Sequence, residues 1–433
     1  MKVRFQLFPG ILLFSLLAFA QPKAAPKELP DSAYKLVSIG VTGSERFNSQ
    51  DIAAASGLEI GQTAHEDDFQ QASRRLGDTG AFREVAFNFK YAAEGTKVEF
   101  QVKDAEKFVP ARFENLVWFS TQELQDQLHA AVSLFHGELP LSGALADQVS
   151  EALQTMLIQK NVQGSVDYTR AGPDNAVDAI VYTVSGAHIG LRNIEFPGAD
   201  PALLPKLQAA ADKMHIREYS QTVLTEQAHQ YLLPVYLAHG YLKAEMGDPE
   251  PKVVETTEEH VIVDVSFDAK PGPQYKLSGL EIVGNKIFST QTLRQLIHAP
   301  INDPANVVQL KYDLETMENL YGTKGYMAAK VTSEHQMDEG QHTMACRITI
   351  VEGDVYKMGE LDFHGVDSET RSRLENLWTI RKGETYDSSY PAQFEEKAYR
   401  QIGALKNATA DTHESPNPQD QTVDVTIRFD VKQ

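Results

Sequence analysis

Thirteen histidines and 60 acidic side chains are the residues of this chain with the chemistry to ligate a metal or move a proton. Along the sequence, His335, Asp338 and His342 come nearest to a cluster. They fall in a polar hairpin loop, where no helix or paired strand fixes their spacing, and a helix-borne His-Glu-x-x-His motif is absent. Solvated loop side chains are the expected reading, and no metal site is assigned. The acidic pairs Asp67-Asp68, Glu258-Glu259 and Glu395-Glu396 sit in expected loops or on helix faces, where solvation again explains them. The sequence has no Gly-x-Ser-x-Gly elbow, no phosphate-cradling Gly-Lys-Ser/Thr loop and no dinucleotide glycine fingerprint. Catalytic residues, cofactor ligands and an enzymatic activity are therefore not expected.

The lone cysteine, Cys346, alternates with Met344, Ile348 and Ile350, the period of a half-buried strand, so it is expected in a core. A formal net charge of −20 disfavours nucleic acid and anionic lipid surfaces as partners. Lys2 and Arg4, the apolar run Ile11 to Phe19 and the small residues before Gln21 read as a secretory signal over residues 1–20, followed by a linker over 21–33. No later stretch approaches the ~20 apolar residues of a membrane helix, so the exported chain is expected to be peripheral to any membrane.

What organises the rest is a repeated frame. Tyr34-Lys35-Leu36, Ile39, Val41 and Gly43 recur as Tyr275-Lys276-Leu277, Leu280, Ile282 and Gly284, and as Tyr356-Lys357-Met358, Leu361, Phe363 and Gly365. Weaker copies are Leu191, Ile194, Phe196 and Gly198, and Phe108, Phe113 and Asn115. The spacing of roughly 70 to 85 residues suits a small folded domain rather than a solenoid repeat. Each copy opens with a β-rich run ended by a turn residue able to take positive φ: Gly43, Asn115, Gly198, Gly284 or Gly365. Asn48, Ser120 and Ser289 are placed as helix N-caps behind a staple phenylalanine. A second, one-faced helix follows, as in Phe69, Ala72 and Leu76 or Leu310, Leu314, Met317 and Tyr321. It ends at Gly80, Gly240 or Gly325, with Gly403 in the fifth copy and Asn161 in the second. Pro234 should kink or break the third copy's helix. Two strands close the unit, the last being the most regular: Val98, Phe100 and Val102; Val261, Val263, Val265 and Phe267; Val423, Val425, Ile427, Phe429 and Val431.

The expected fold class is α+β: five tandem β-α-α-β-β modules, each two helices on a three-stranded mixed sheet, over residues 34–105, 106–186, 187–272, 273–354 and 355–433. This pattern resembles the polypeptide-transport-associated (POTRA) domain, and five copies behind a signal resemble the periplasmic arm of BamA-like outer-membrane assembly proteins. Members of that family continue into a membrane β-barrel, whereas this sequence stops after the fifth closing strand. The resemblance therefore implies chaperoning, docking and scaffolding rather than insertion, in the periplasm and beside the outer membrane. Implied partners are outer-membrane protein precursors, a separate outer-membrane β-barrel, or an assembly complex. It also implies binding by β-augmentation at the strand after the second helix, with Val85, Phe87 and Phe89, or Met327, Ala329 and Val331, as candidate edge residues. An adaptor or spacer with every edge capped, in an envelope secretion or division complex, is the alternative.

Overall fold

A computed structural model describes residues 30–173, 176–257 and 260–431. The expected signal (1–20) and the first part of the linker lie outside the described residues, while Asp31–Tyr34 form a 3-10 turn that buries Ala33. Chain contacts divide the protein into two compact units. The first comprises the described residues up to Phe113 together with Thr121–Ser185, and the second Glu114–Ser120 together with those from Gly186 on.

In the first unit, β1 (Leu36–Thr42), α1 (Ser49–Ser56), α2 (Glu66–Asp78), β2 (Phe82–Ala92) and β3 (Gly95–Asp104) form a sheet of order β1-β3-β2. β1 lies parallel to β3, which two helices of crossover permit, and the β2–β3 hairpin is antiparallel. Alternation decides the faces: Val98, Phe100 and Val102 are buried against Phe69, Ala72 and Leu76 of α2, and the residues between them are exposed. Asn48 caps α1 by accepting from the amides of Gln50 and Asp51, both at 2.9 Å. The following sheet uses β4 (Phe108–Phe113), α3 (Thr121–Ala131), β5 (Glu138–Pro140), α4 (Leu145–Gln159), β6 (Ser165–Ala171) and β7 (Ala179–Ser185). Its order is β5-β4-β7-β6, so a short fourth strand joins the three expected.

The second unit repeats the three-stranded plan. β8 (His188–Glu195), α5 (Leu204–Ala211), α6 (Gln221–Gln227), α7 (Leu233–Leu237), β9 (Glu245–Thr256) and β10 (His260–Lys270) give the order β8-β10-β9. The helix is interrupted near Pro234, as expected: Ala228–Leu232 widen into a π turn between α6 and α7, and Pro234 takes a first-turn position of α7, where an amide is not needed. β11 (Lys276–Val283), α8 (Thr290–Arg294), α9 (Val307–Gly322), β12 (Lys330–Asp338) and β13 (Thr343–Val351) follow in the order β11-β13-β12. β14 (Lys357–His364), α10 (Ser368–Leu377), α11 (Tyr390–Gln401), β15 (Ala408–Asn417) and β16 (Thr422–Val431) close the described chain as β14-β16-β15.

Each sheet of the second unit has its own core, and the frame residues Leu277 and Met358 are almost fully buried at the start of the fourth and fifth sheets. Cys346 is buried on β13 as expected, and burial pushes its thiol up to about 11. The segment Glu114–Ser120 departs from its expected place in the second module. Val117 and Trp118 pack in the core beneath β8 and β10, and the Glu114 carboxylate accepts from the Thr222 hydroxyl at 2.6 Å at the start of α6.

The turn residues largely behave as their types require. Gly43, Gly284 and Gly365 have φ of 98°, 88° and 76°, and a Cβ at any of them would overlap a carbonyl oxygen of the closing strand. Gly80, Gly198, Gly240 and Gly325 are likewise left-handed, with φ of 75° to 84°. Asn115 is not: it lies outside the positive-φ set, and its segment bends into a turn in which the Phe119 amide donates to the Leu116 carbonyl as Val117 and Trp118 enter the third core. The left-handed asparagine of the second sheet is Asn161, φ 56°, at the end of α4. Its amide donates to Ile158 and that of Val162 to Leu157, a Schellman closure in which asparagine replaces glycine. Gly403 does not serve as a left-handed cap either; it opens a 3-10 turn, Gly403–Leu405.

Candidate protein-interaction edges

A three-stranded sheet has two edges, and the sequence could not say which is open. The structure closes one of them in the same way four times. The loop between the two helices folds onto the first strand as an isolated antiparallel bridge: Lys35 with Thr63, Gly190 with Glu218, Lys276 with Pro304, and Lys357 with Thr385. Around these bridges Leu36 donates to Gln62 (2.8 Å), Leu191 to Arg217 (2.9 Å), Leu277 to Asp303 (2.9 Å) and Met358 to Glu384 (2.8 Å). In the second sheet β5 does this by pairing with β4. The edge left over is the first strand of each closing hairpin: β2, β6, β9, β12 and β15.

These five edges are chemically unequal. On β2 the hydroxyl of Ser73 donates to the carbonyl of Val85 at 3.4 Å, which shows that Val85 directs its backbone away from β3. Because antiparallel strands alternate, Phe87, Phe89 and Tyr91 do the same, while Ala86, Asn88 and Lys90 bond the ladder. The side chains of Val85, Phe87 and Phe89 face α2 and are half-buried. Phe69 lies 5.1 Å from Phe89 and 6.5 Å from Phe87, and Tyr91 lies 5.1 Å from both Phe89 and Tyr34, ring centre to ring centre. An outward-facing backbone run thus borders a strip of aromatic surface, the two components that strand addition uses for affinity and for side-chain selection.

The others are partly stopped. On β6 the amide of Val166 donates to Gln154 Oε1 (2.9 Å) and its carbonyl accepts from Ser150 (3.1 Å), so helix side chains occupy the start of the edge. β9 carries Pro249 and Pro251, which supply no N–H to an incoming strand. β15 contains Pro416, and its helix-facing Thr412 and Glu414 are engaged by Glu395 and Tyr386. On β12 the amide of Val331 donates to Glu318 Oε1 at 2.8 Å, and Lys330, Glu334 and Asp338 place charge along the strand, a common guard on edges that Lys90 also supplies on β2.

Of the expected edge residues, Val85, Phe87, Phe89 and Val331 lie on edge strands. Met327 and Ala329 do not: they precede β12, in a turn where the Ala329 amide donates to Tyr326 at 3.1 Å. Met327 packs into the fifth core and Ala329 into the fourth. The same turn recurs at Tyr241, where Ala244 donates at 3.1 Å, so after Gly-Tyr the strand starts later than after Gly80-Ala81. Tyr91, Ser333, His335 and Met337 are the edge positions the sequence reading missed, and period two from Phe89 and Val331 would have found them. His335 and Asp338 lie on β12, while His342, φ 51°, sits in the following turn 5.7 Å from the ring of Tyr275. Among the described residues, no helix is long and apolar enough to cross a membrane.

Comparison with known proteins agrees with this architecture. Residues 275–353 match the POTRA family, described as a surface antigen variable number repeat. A protein of Treponema pallidum (strain Nichols), named as a candidate outer membrane protein assembly factor, is 23% identical over 155 residues, 36% of this chain and 18% of that protein. The outer membrane protein assembly factor BamA of Nitratidesulfovibrio vulgaris is 20% identical over 286 residues, 63% of this chain and 35% of its own length. The chain thus spans about a fifth to a third of these relatives. Among solved structures, POTRA domains 3–5 of Haemophilus influenzae BamA are similar at 20% identity and a TM-score of 0.44, over 57% of this chain and 98% of that one. This chain resembles the tandem POTRA domains of BamA-like outer membrane protein assembly factors.

Proposed function

We propose that this chain is a non-enzymatic binding arm in outer membrane protein assembly, working in the periplasm beside the outer membrane. It receives extended segments of barrel precursors at the free edge of β2. The observation that carries this reading is the selective opening of that edge. The first-strand edges are covered and the other hairpin edges are blocked in part by proline, helix side chains or charge; β2 gives up the Val85 carbonyl to Ser73 and carries Glu84 and Lys90, but the backbones of Phe87, Phe89 and Tyr91 face outward beside an aromatic strip. Backbone pairing asks little of the client's sequence, and alternate apolar residues of a barrel strand suit the aromatic side. The names of the relatives support the setting, and the net charge of −20 favours protein over lipid or nucleic acid as partner.

The test is fluorescence anisotropy of the full chain with a labelled, unfolded barrel-strand peptide of alternating pattern. Phe87→Pro and Phe89→Pro remove outward-facing N–H groups without touching the ladder to β3, and circular dichroism checks that they fold. Saturable binding that both variants lose, and that Ser333→Pro on β12 keeps, is the expected result. Binding that is unchanged in both folded β2 variants, or absent from the wild-type chain, would favour the capped adaptor and sink the client-binding reading.

A further inference from the structure

We propose that Asp51, His129 and His136 form a zinc site that ties α1 to the α3–β5 loop within the first unit. The three donors come from separate segments, the first turn of α1, the last turn of α3 and the loop before β5, and their ligand atoms lie within 4.8 Å of one another. His136 Nε2 stands 2.9 Å from Asp51 Oδ2, and His129 Nε2 stands 3.7 Å from Asp51 Oδ1. Two donors on one tetrahedral zinc, each about 2.0–2.1 Å from it, are about 3.3 Å apart, a value these distances bracket.

The groups around the donors are arranged as a ligand set requires. His129 Nδ1 lies 3.1 Å from the carbonyl of Phe135, which can only accept, so that nitrogen carries the proton and Nε2 of the neutral ring presents its lone pair toward Asp51. The Asp51 carboxylate is nearly buried and is fixed by Asn48, whose Nδ2 donates to Oδ2 at 2.7 Å. The hydroxyl of Ser133 donates to the Asp51 carbonyl at 2.9 Å, so the loop bearing His136 is tethered to α1 independently of any cation. Both imidazoles are about two-fifths exposed, which leaves an entry path and room for water as a fourth ligand. Two imidazoles and one carboxylate suit zinc, whereas magnesium and calcium favour sets made wholly of oxygen. Coordination by His136 Nε2 replaces its hydrogen bond to Asp51, and the neutral ring binds as the tautomer that carries its proton on Nδ1.

Calorimetric titration of the metal-stripped full chain with zinc sulfate, and separately with magnesium chloride, tests the proposal. One equivalent of zinc should bind far more tightly than magnesium. Affinity should fall ~tenfold or more in His129→Ala and in His136→Gln. The second variant alters a loop side chain outside the regular helices and strands and keeps a polar group of similar size, so it remains informative if the first fails to fold. Unchanged affinity and stoichiometry in folded His136→Gln, or zinc binding no tighter than magnesium, would overturn the site and leave a plain histidine–aspartate contact.

Discussion

The amide of Tyr275 donates to the carbonyl of Gly240 at 2.7 Å, and Tyr356 makes the same bond to Gly325, also at 2.7 Å. In both places the glycine closes the second helix of one sheet in the left-handed conformation while its carbonyl holds the first frame residue of the next. A Cβ on Gly240 would overlap the Tyr275 carbonyl oxygen, and one on Gly325 would press on Tyr356 and Thr385. The glycine is therefore required twice, by its own φ and by its neighbour's approach.

Gly240→Ala should destabilise the second unit by about 1–3 kcal/mol, since it adds a backbone clash to the strain of positive φ. Gly198→Ala provides the contrast: φ is 75° there, but a Cβ meets nothing within 4 Å. Its cost should stay near the ~1 kcal/mol of strain alone. Urea midpoints of the two variants check this, and equal losses would remove the joint from the explanation.

Asn161→Gly should be neutral or slightly stabilising, because glycine takes the left-handed C′ position without strain. Asn161→Val should cost about 1–2 kcal/mol. The measurement is thermal unfolding followed by circular dichroism, and a harmless valine would refute the Schellman assignment.

Across the joint between the third and fourth sheets, Lys243 Nζ lies 2.7 Å from Glu339 and the Tyr275 hydroxyl donates to the same carboxylate at 2.6 Å. Lys243 first, and then Tyr275, hold the Glu339 carboxyl below its usual value. A lowered folded pKa stabilises above the ordinary glutamate range of about 4.3 and loses that contribution as pH falls through the folded value. The stability gap between wild type and Glu339→Gln should thus be open at pH ~7 and close in stronger acid than an unpaired glutamate would need. Urea midpoints over a pH series read it out, and a gap that does not change with pH would contradict it.

Replacing Pro249 and Pro251 together by threonine should restore two outward donors to β9 and create a second receptive edge. Self-association by light scattering, or additional binding of the barrel-strand peptide, is the expected outcome. A variant that scatters and binds as wild type would show that proline is not what keeps β9 closed.

Much of this fold was legible because it is local. Leu36, Leu277 and Met358 are buried where the repeated frame put them, Asn48 and Ser289 cap their helices, and the period of two in Val423 to Phe429 marks the buried face. What stayed hidden depends on partners far along the chain. Which edge is open is decided by Gln62, Arg217, Asp303 and Glu384 reaching back about 26 residues to the first strand, through backbone groups that side-chain patterns do not report. Asn115 was misread for the same reason, since its conformation follows from Val117 and Trp118 entering the third core. Asp51, His129 and His136 share no motif; only the packing of α1 beside the α3–β5 loop brings them together.

The bond from Tyr275 to Gly240 also decides where this polypeptide can be divided. A recombinant fragment beginning at Tyr275 would lose the acceptor for its first amide, and one ending at Gly240 would leave that carbonyl facing solvent, so the repeat visible in the sequence is not the smallest self-contained piece. Stable excisions of the fourth sheet should carry the preceding α7 turn along with it, and gene fusions that respect this overlap should express better than those cut at the tyrosine.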